Sequence, residues 1–200
     1  MLSSIHPLGE RAKGNRWGLT VSAFVMGGLI GGAAAGVVAG LVGMLVRSVV
    51  DPATTADVVL VGAVLVLCVA LELRVFGVHH PTTRRQVDEN WLNRYRGWVY
   101  GLGYGVQLGL GPVTIVSTPA IYAALALGVL TGSIAGGLAI GATFGLVRGA
   151  AVLVGRGVTS TDRLRRFHQR LDQRRRLAAR LTPVAESAVA VAVLGAALLR

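Results

Sequence analysis

From Trp17 to Val46 the chain carries no charged side chain and places glycine at 28, 32, 36 and 40. A helix needs only about 20 apolar residues to cross a bilayer, and residues four apart share one helix face. The run therefore demands a spanning helix with one face that has no side chains. The rest of the 200 residues agree, being 53% hydrophobic and only 14% charged, with a mean hydropathy of +0.63. Soluble chains carry about a quarter charged residues. Residues 1–200 read as a single all-α integral membrane domain.

Five spans are expected, at about 17–46, 56–73, 97–130, 133–155 and 183–199. The second follows Asp51-Pro52, a pair that starts helices. The third is too long for one straight helix and holds Pro112 and Pro119, while the fourth follows a tight Thr131-Gly132-Ser133 link. The fifth is short but usable where a bilayer thins. The first is too long and too glycine-rich for a signal peptide.

Lys and Arg collect on the cytoplasmic side of a membrane. Here they fill the N-terminal tail (Arg11, Lys13, Arg16), the loop after span two (Arg74, Arg84, Arg85, Arg94, Arg96) and the segment between spans four and five, from Arg156 to Arg180. The other loops hold Arg47 alone. That pattern predicts a multi-pass plasma-membrane protein with its N-terminus inside and its C-terminus outside. Trp17, Trp91, Tyr95, Trp98 and Tyr100 fall at the cytoplasmic ends, where aromatic rings anchor.

Glycine recurs every fourth residue in three spans: Gly28, Gly32, Gly36 and Gly40; Gly97, Gly101, Gly105 and Gly109; Gly137, Gly141, Gly145 and Gly149. Such faces let backbones approach closely in a membrane, which predicts a tight centre of spans one, three and four. The GLGYG run at 101–105 has no βαβ context and reads as packing. GGLIGGAAAGVVAGL from Gly27 aligns without a gap on GGLAIGATFGLVRGA from Gly136. Those two spans are expected to run in opposite directions, the mark of an inverted repeat, here an incomplete one of two helices plus three.

The third span is broken at Pro112 and Pro119 within QLGLGPVTIVSTPAIY, 107–122. Proline removes a helix hydrogen bond, and irregular backbone at membrane depth survives only when packed in protein or lining a cavity. Gln107, Gly111, Pro112, Thr114, Ser117, Thr118 and Pro119 form a candidate substrate site; the alternative is a kinked structural helix. Arg148, inside span four, either snorkels to the interface or turns inward to meet an anion or polar headgroup.

Within the break, Leu108-Gly109-Leu110-Gly111-Pro112 keeps the Gly-Pro end of a Pro-Cys-x-Gly-Pro-like pattern, with Gly109 at the cysteine position. Together with the basic tail, FVMGGLIGGAAAGVVAG and the Arg-rich segment before the last span, this resembles the DsbD/CcdA-type membrane proteins over residues 11–199. Those proteins carry thiol–disulfide electrons in cytochrome c maturation. The resemblance implies a six-helix inverted-repeat fold, here without its leading helix, and the missing cysteine pair argues against the redox activity. Cys68, the single cysteine, lies a turn from Glu72 in span two and reads as a small buried hydrophobe.

His79-His80-Pro81 has no ligand cluster beside it, so neither metal nor haem is expected, and no cofactor. Residues 161–181 read as a basic amphipathic helix that contacts anionic lipids; nucleic acid is not expected. No catalytic constellation appears, so an enzyme is not expected. The leading functional expectation is a small-molecule carrier or exporter with its site at the break. The alternative is a membrane scaffold or assembly subunit, working as a homodimer or with a partner membrane protein, and thiol–disulfide electron transfer comes third.

Overall fold

A computed structural model of the chain describes residues 5–49, 60, 63–64, 66–68, 70–71, 91–111, 120–174, 177, 181 and 184. Among the described residues every regular element is helical. These are α1 (Pro7–Ala12), α2 (Trp17–Val49), α3 (Trp91–Arg94), α4 (Gly97–Gly109), α5 (Ala120–Leu130) and α6 (Ile134–Ala150), which passes into a 3₁₀ segment, Ala151–Gly157. A last helix, α7, covers 161–174. The expected all-α class holds. Trp17–Ser48 and Ile134–Gly157 are long and apolar enough to cross a membrane, and they coincide with the first and fourth expected spans. The expected third span is two helices, α4 and α5. Most of the second and fifth spans lies outside the described residues, as do Pro112, Thr114, Ser117, Thr118 and Pro119.

The axis of the bundle is α2, flanked by α6 on one side and α4 on another. Gly28 meets Gly145, Gly32 meets Gly141, Gly36 meets Gly137 and Gly40 meets Ser133. Rising numbers against falling ones make α2 and α6 antiparallel. On the second face Gly101 meets Thr20, Gly105 meets Phe24, and Gly109 meets Gly28 and Gly32, so α4 runs parallel to α2. Then α5 continues in the same direction, with Gly128 against Ala39 and Val129 against Gly43.

All twelve glycines of the three strips face a packing partner within the chain. Two more, Gly27 and Gly31, sit against Leu102 and Val106 of α4, so α2 has two glycine faces where the fourfold spacing suggested one. Apart from Gly97, which meets the Thr20 and Asn15 side chains, the contacts are backbone on backbone. A Cβ at Gly36 would fall on the carbonyl oxygen of Gly137, and one at Gly105 on that of Phe24. The outward faces carry the large apolar side chains instead, with Met26, Ile30, Val38 and Leu45 of α2 and Leu146 and Val147 of α6 all exposed. Small inside and large outside inverts the pattern of a soluble bundle.

The short links follow local chemistry. Gly132 takes the left-handed conformation (φ +56°) between α5 and α6, and the Ser133 hydroxyl accepts from Gly136 N as the N-cap of α6. The sequence had marked the same three-residue link.

A substitution pair tests the packing. Gly36→Leu is expected to lower stability in detergent by at least about 2 kcal/mol, because backbones must part to admit it. Gly18→Ala, where a Cβ meets nothing within 4 Å, is expected to be neutral or to stabilise by up to ~1 kcal/mol. Circular dichroism during denaturant titration reads both.

Candidate functional site

The break in the third span begins as α4 ends at Gly109, with Leu110 at the C-cap and Gly111 buried in the left-handed conformation at φ +81°. A glycine there is the common way to end a helix. In a continuous helix the Leu108 carbonyl would accept from the N–H of residue 112, but Pro112 has none. Arg148 provides the donor from α6: its Nη1 lies 2.9 Å from Leu108 O, with the guanidinium 5.3 Å from the Phe144 ring centroid. Gly111 N adds a weaker bond to the same oxygen at 3.3 Å.

Arg148 therefore turns inward, with one of its donors on a helix end. A cation at a helix C-terminus also opposes the negative end of the dipole. The same device closes α5, where Arg47 Nη2 donates to Leu130 O at 2.7 Å. Long helical side chains lean toward the N-terminus of their helix, which carries Arg148 back along α6 toward the break.

Gln107 is half-buried on α4. At the end of α4, Gly32, Gly109, Gly111, Leu125, Gly141 and Phe144 help enclose a void of only about 10 Å³, and no polar side chain lines it. That is room for about one water. Of the expected substrate-site residues, Gly111 borders the void and Arg148 reaches the helix end beside it. Cys68 is buried in its helix.

The most elaborate polar arrangement lies at the other end of α4, on a residue that the sequence reading passed over. His6 caps α1, its Nδ1 accepting from Gly9 N at 3.0 Å, and Pro7 occupies the first turn. That short helix puts Glu10 at 0% exposure. Thr20 Oγ1 of α2 donates to Glu10 Oε2 at 2.8 Å, and the Tyr100 hydroxyl of α4 donates to Oε1. Asn15 completes the net: its Nδ2 donates to Tyr100 at 3.3 Å, while its Oδ1 accepts from Gly97 N at 3.3 Å.

Lys13 Nζ stands 5.5 Å from the Tyr100 ring centroid. The start of α2, the start of α4 and the tail are thus tied through one buried carboxylate, and Leu8 N to Val158 O at 3.1 Å adds the end of the 3₁₀ segment. Tyr100 is no interfacial anchor, because it is as buried as Glu10. The available signal was His6-Pro7, a cap followed by proline at the first helical position. Among the described residues no three His, Cys, Asp or Glu side chains gather to hold a metal.

No protein-family model matches the chain, and no solved structure does. Over 85 residues it is 39% identical to the methylamine utilization protein MauF of Paracoccus versutus, a match covering 42% of this chain and 31% of that protein. The MauF of Paracoccus denitrificans is 40% identical over 85 residues, with the same coverage. That of Methylophilus methylotrophus is 35% identical over 105 residues, covering 50% of this chain and 37% of the relative. The match thus spans about a third of the length of these curated relatives.

These likenesses correct four expectations. The relatives are named for methylamine utilization and not as DsbD/CcdA-type proteins, and Gly111 stands at a helix end that Arg148 closes. The carrier or exporter reading falls with it, and the void that Gly111 borders is only about 10 Å³. The scaffold alternative and the thiol–disulfide reading fall as well. The relatives carry neither description, the three glycine strips are occupied within the chain, and Cys68 is buried.

Two measurements probe the polar centre. Tyr100→Phe removes a donor to a buried carboxylate and is expected to cost about 1.5–3 kcal/mol of stability. The exposed neighbour change Trp98→Phe should stay within about 0.5 kcal/mol. Burial holds His6 below its ordinary pKa of 6.5, outweighing the opposing pull of Glu10. Its contribution to stability is fully present above that ordinary value and is lost as pH falls through it toward the folded value. Unfolding from about pH 8 to about pH 5 should show this loss, and His6→Asn, a cap that does not titrate, should flatten it.

Proposed function

We propose that the chain is a multi-pass plasma-membrane protein that serves methylamine utilization without itself catalysing a reaction. The observation that carries this reading is its 39% identity over 85 residues to a MauF protein. Membrane residence is supported by two helices of sufficient length and apolarity and by their exposed apolar faces. Orientation is supported by where the cations lie. The starts of α2 and α4 and the end of α6 share one end of the bundle, and Arg11, Lys13, Arg16, Arg96, Arg156 and Arg163 belong to the segments there. Lys and Arg mark the cytoplasmic side. The basic α7 region then lies on that side, against anionic lipids.

Five spans in an incomplete inverted repeat suit this arrangement. The sequence repeat pairs Gly28 with Gly137, Gly32 with Gly141 and Gly36 with Gly145. Exchanging α2 and α6 in that register turns the Gly28–Gly145 contact into Gly36–Gly137 and returns Gly32–Gly141 to itself. A local twofold between Gly32 and Gly141 is what an inverted repeat requires.

Deletion of the gene in its own host tests the function. Growth with methylamine as sole nitrogen source is expected to fail, while growth on ammonium continues. The wild-type chain should restore growth and the Gly36→Leu chain should not. Undiminished growth of the deletion strain on methylamine would sink the proposal.

A further inference from the structure

Where α1, the start of α2 and the 3₁₀ segment meet, Arg11, Arg16, Trp17, Arg156 and Thr159 border a cavity of about 510 Å³. The three cations come from three separate segments: the last turn of α1, the residue before α2 and the 3₁₀ segment after α6. All three are exposed, and none meets a carboxylate among the described residues. Glu10, the acid nearest to them in sequence, is wholly buried and taken up by Thr20 and Tyr100.

The fold thus gathers three like charges around one space, with no counter-charge among the described residues. Further donors converge there. Thr159 contributes a hydroxyl, and α2 begins at the cavity with the positive end of its dipole. Guanidinium groups match phosphate oxygens in geometry and charge.

We propose that this cavity seats the phosphate of an anionic phospholipid headgroup, held by Arg11, Arg16 and Arg156. The volume lies in the range of small-molecule sites and exceeds what a bare phosphate needs. Beside it the first turn of α2 exposes Leu19, an apolar surface on which an acyl chain can lie. The site is distinct from the cleft of Arg166, Phe167 and Arg170 on α7. It rests on the membrane reading above and not on the methylamine reading.

The test uses the full chain in nanodiscs of mixed phosphatidylcholine and phosphatidylglycerol, with native mass spectrometry counting the lipids retained. Wild type is expected to keep one phosphatidylglycerol in preference to phosphatidylcholine. R11Q, R16Q and R156Q should each lower its apparent affinity about fivefold, with unfolding curves unchanged because the side chains are exposed. R166Q/R170Q should leave that one lipid in place. Equal retention by the R11Q/R16Q/R156Q chain, or no headgroup preference in wild type, would overturn the proposal. Displacement by excess inorganic phosphate would also overturn it, by assigning the site to the free ion. A chain that does not enter the discs would instead overturn the membrane reading beneath it.

Discussion

Backbone contact between α2 and its neighbours carries the rest of the structure. Glycine in a helix costs about 1 kcal/mol relative to alanine in water, and apolar surface gains nothing by leaving lipid for a helix interface of the same polarity. What remains is close approach, with main-chain atoms of one helix against those of the next. Gly28, Gly32, Gly36 and Gly40 give α2 that approach to α6, and Gly27 and Gly31 give it to α4. Because the two faces lie on adjacent sides of one helix, α4 and α6 are brought near one another, and the end of α4 comes within reach of Arg148.

Burial then forces the polar groups into pairs. A carbonyl freed by Pro112 within the packed bundle must find its donor in the protein. Arg148 meets that need for Leu108, as Arg47 does for Leu130. Glu10 faces the same demand as an acceptor, answered by Thr20 and Tyr100. At each of these points, a long-range hydrogen bond holds two helices in register after the glycines have set their separation.

Among the described residues a tightly packed interior is joined to a polar, cation-rich end. The relatives bear the name of a metabolic system and match over about a third of their length. The exposed cations at the ends of α1 and α6 and along α7 are the groups free to meet something else.

Sequence alone determined the helical class, the limits of α2 and α6, the link at 131–133, the end of α4 before Pro112 and the glycine faces. Each follows from local chemistry: charge-free length, fourfold spacing, a capping serine, a proline without an N–H. Tertiary structure alone decided which glycine face meets which helix, since one bare face fits another without a side-chain code. It also decided that Gly27 and Gly31 form a second face, that Arg148 turns to Leu108, and that Glu10 and Tyr100 are buried together. Those pairs are 40 and 90 residues apart in the chain. No local pattern announces them, because a partner at such a distance exists only once the helices have closed.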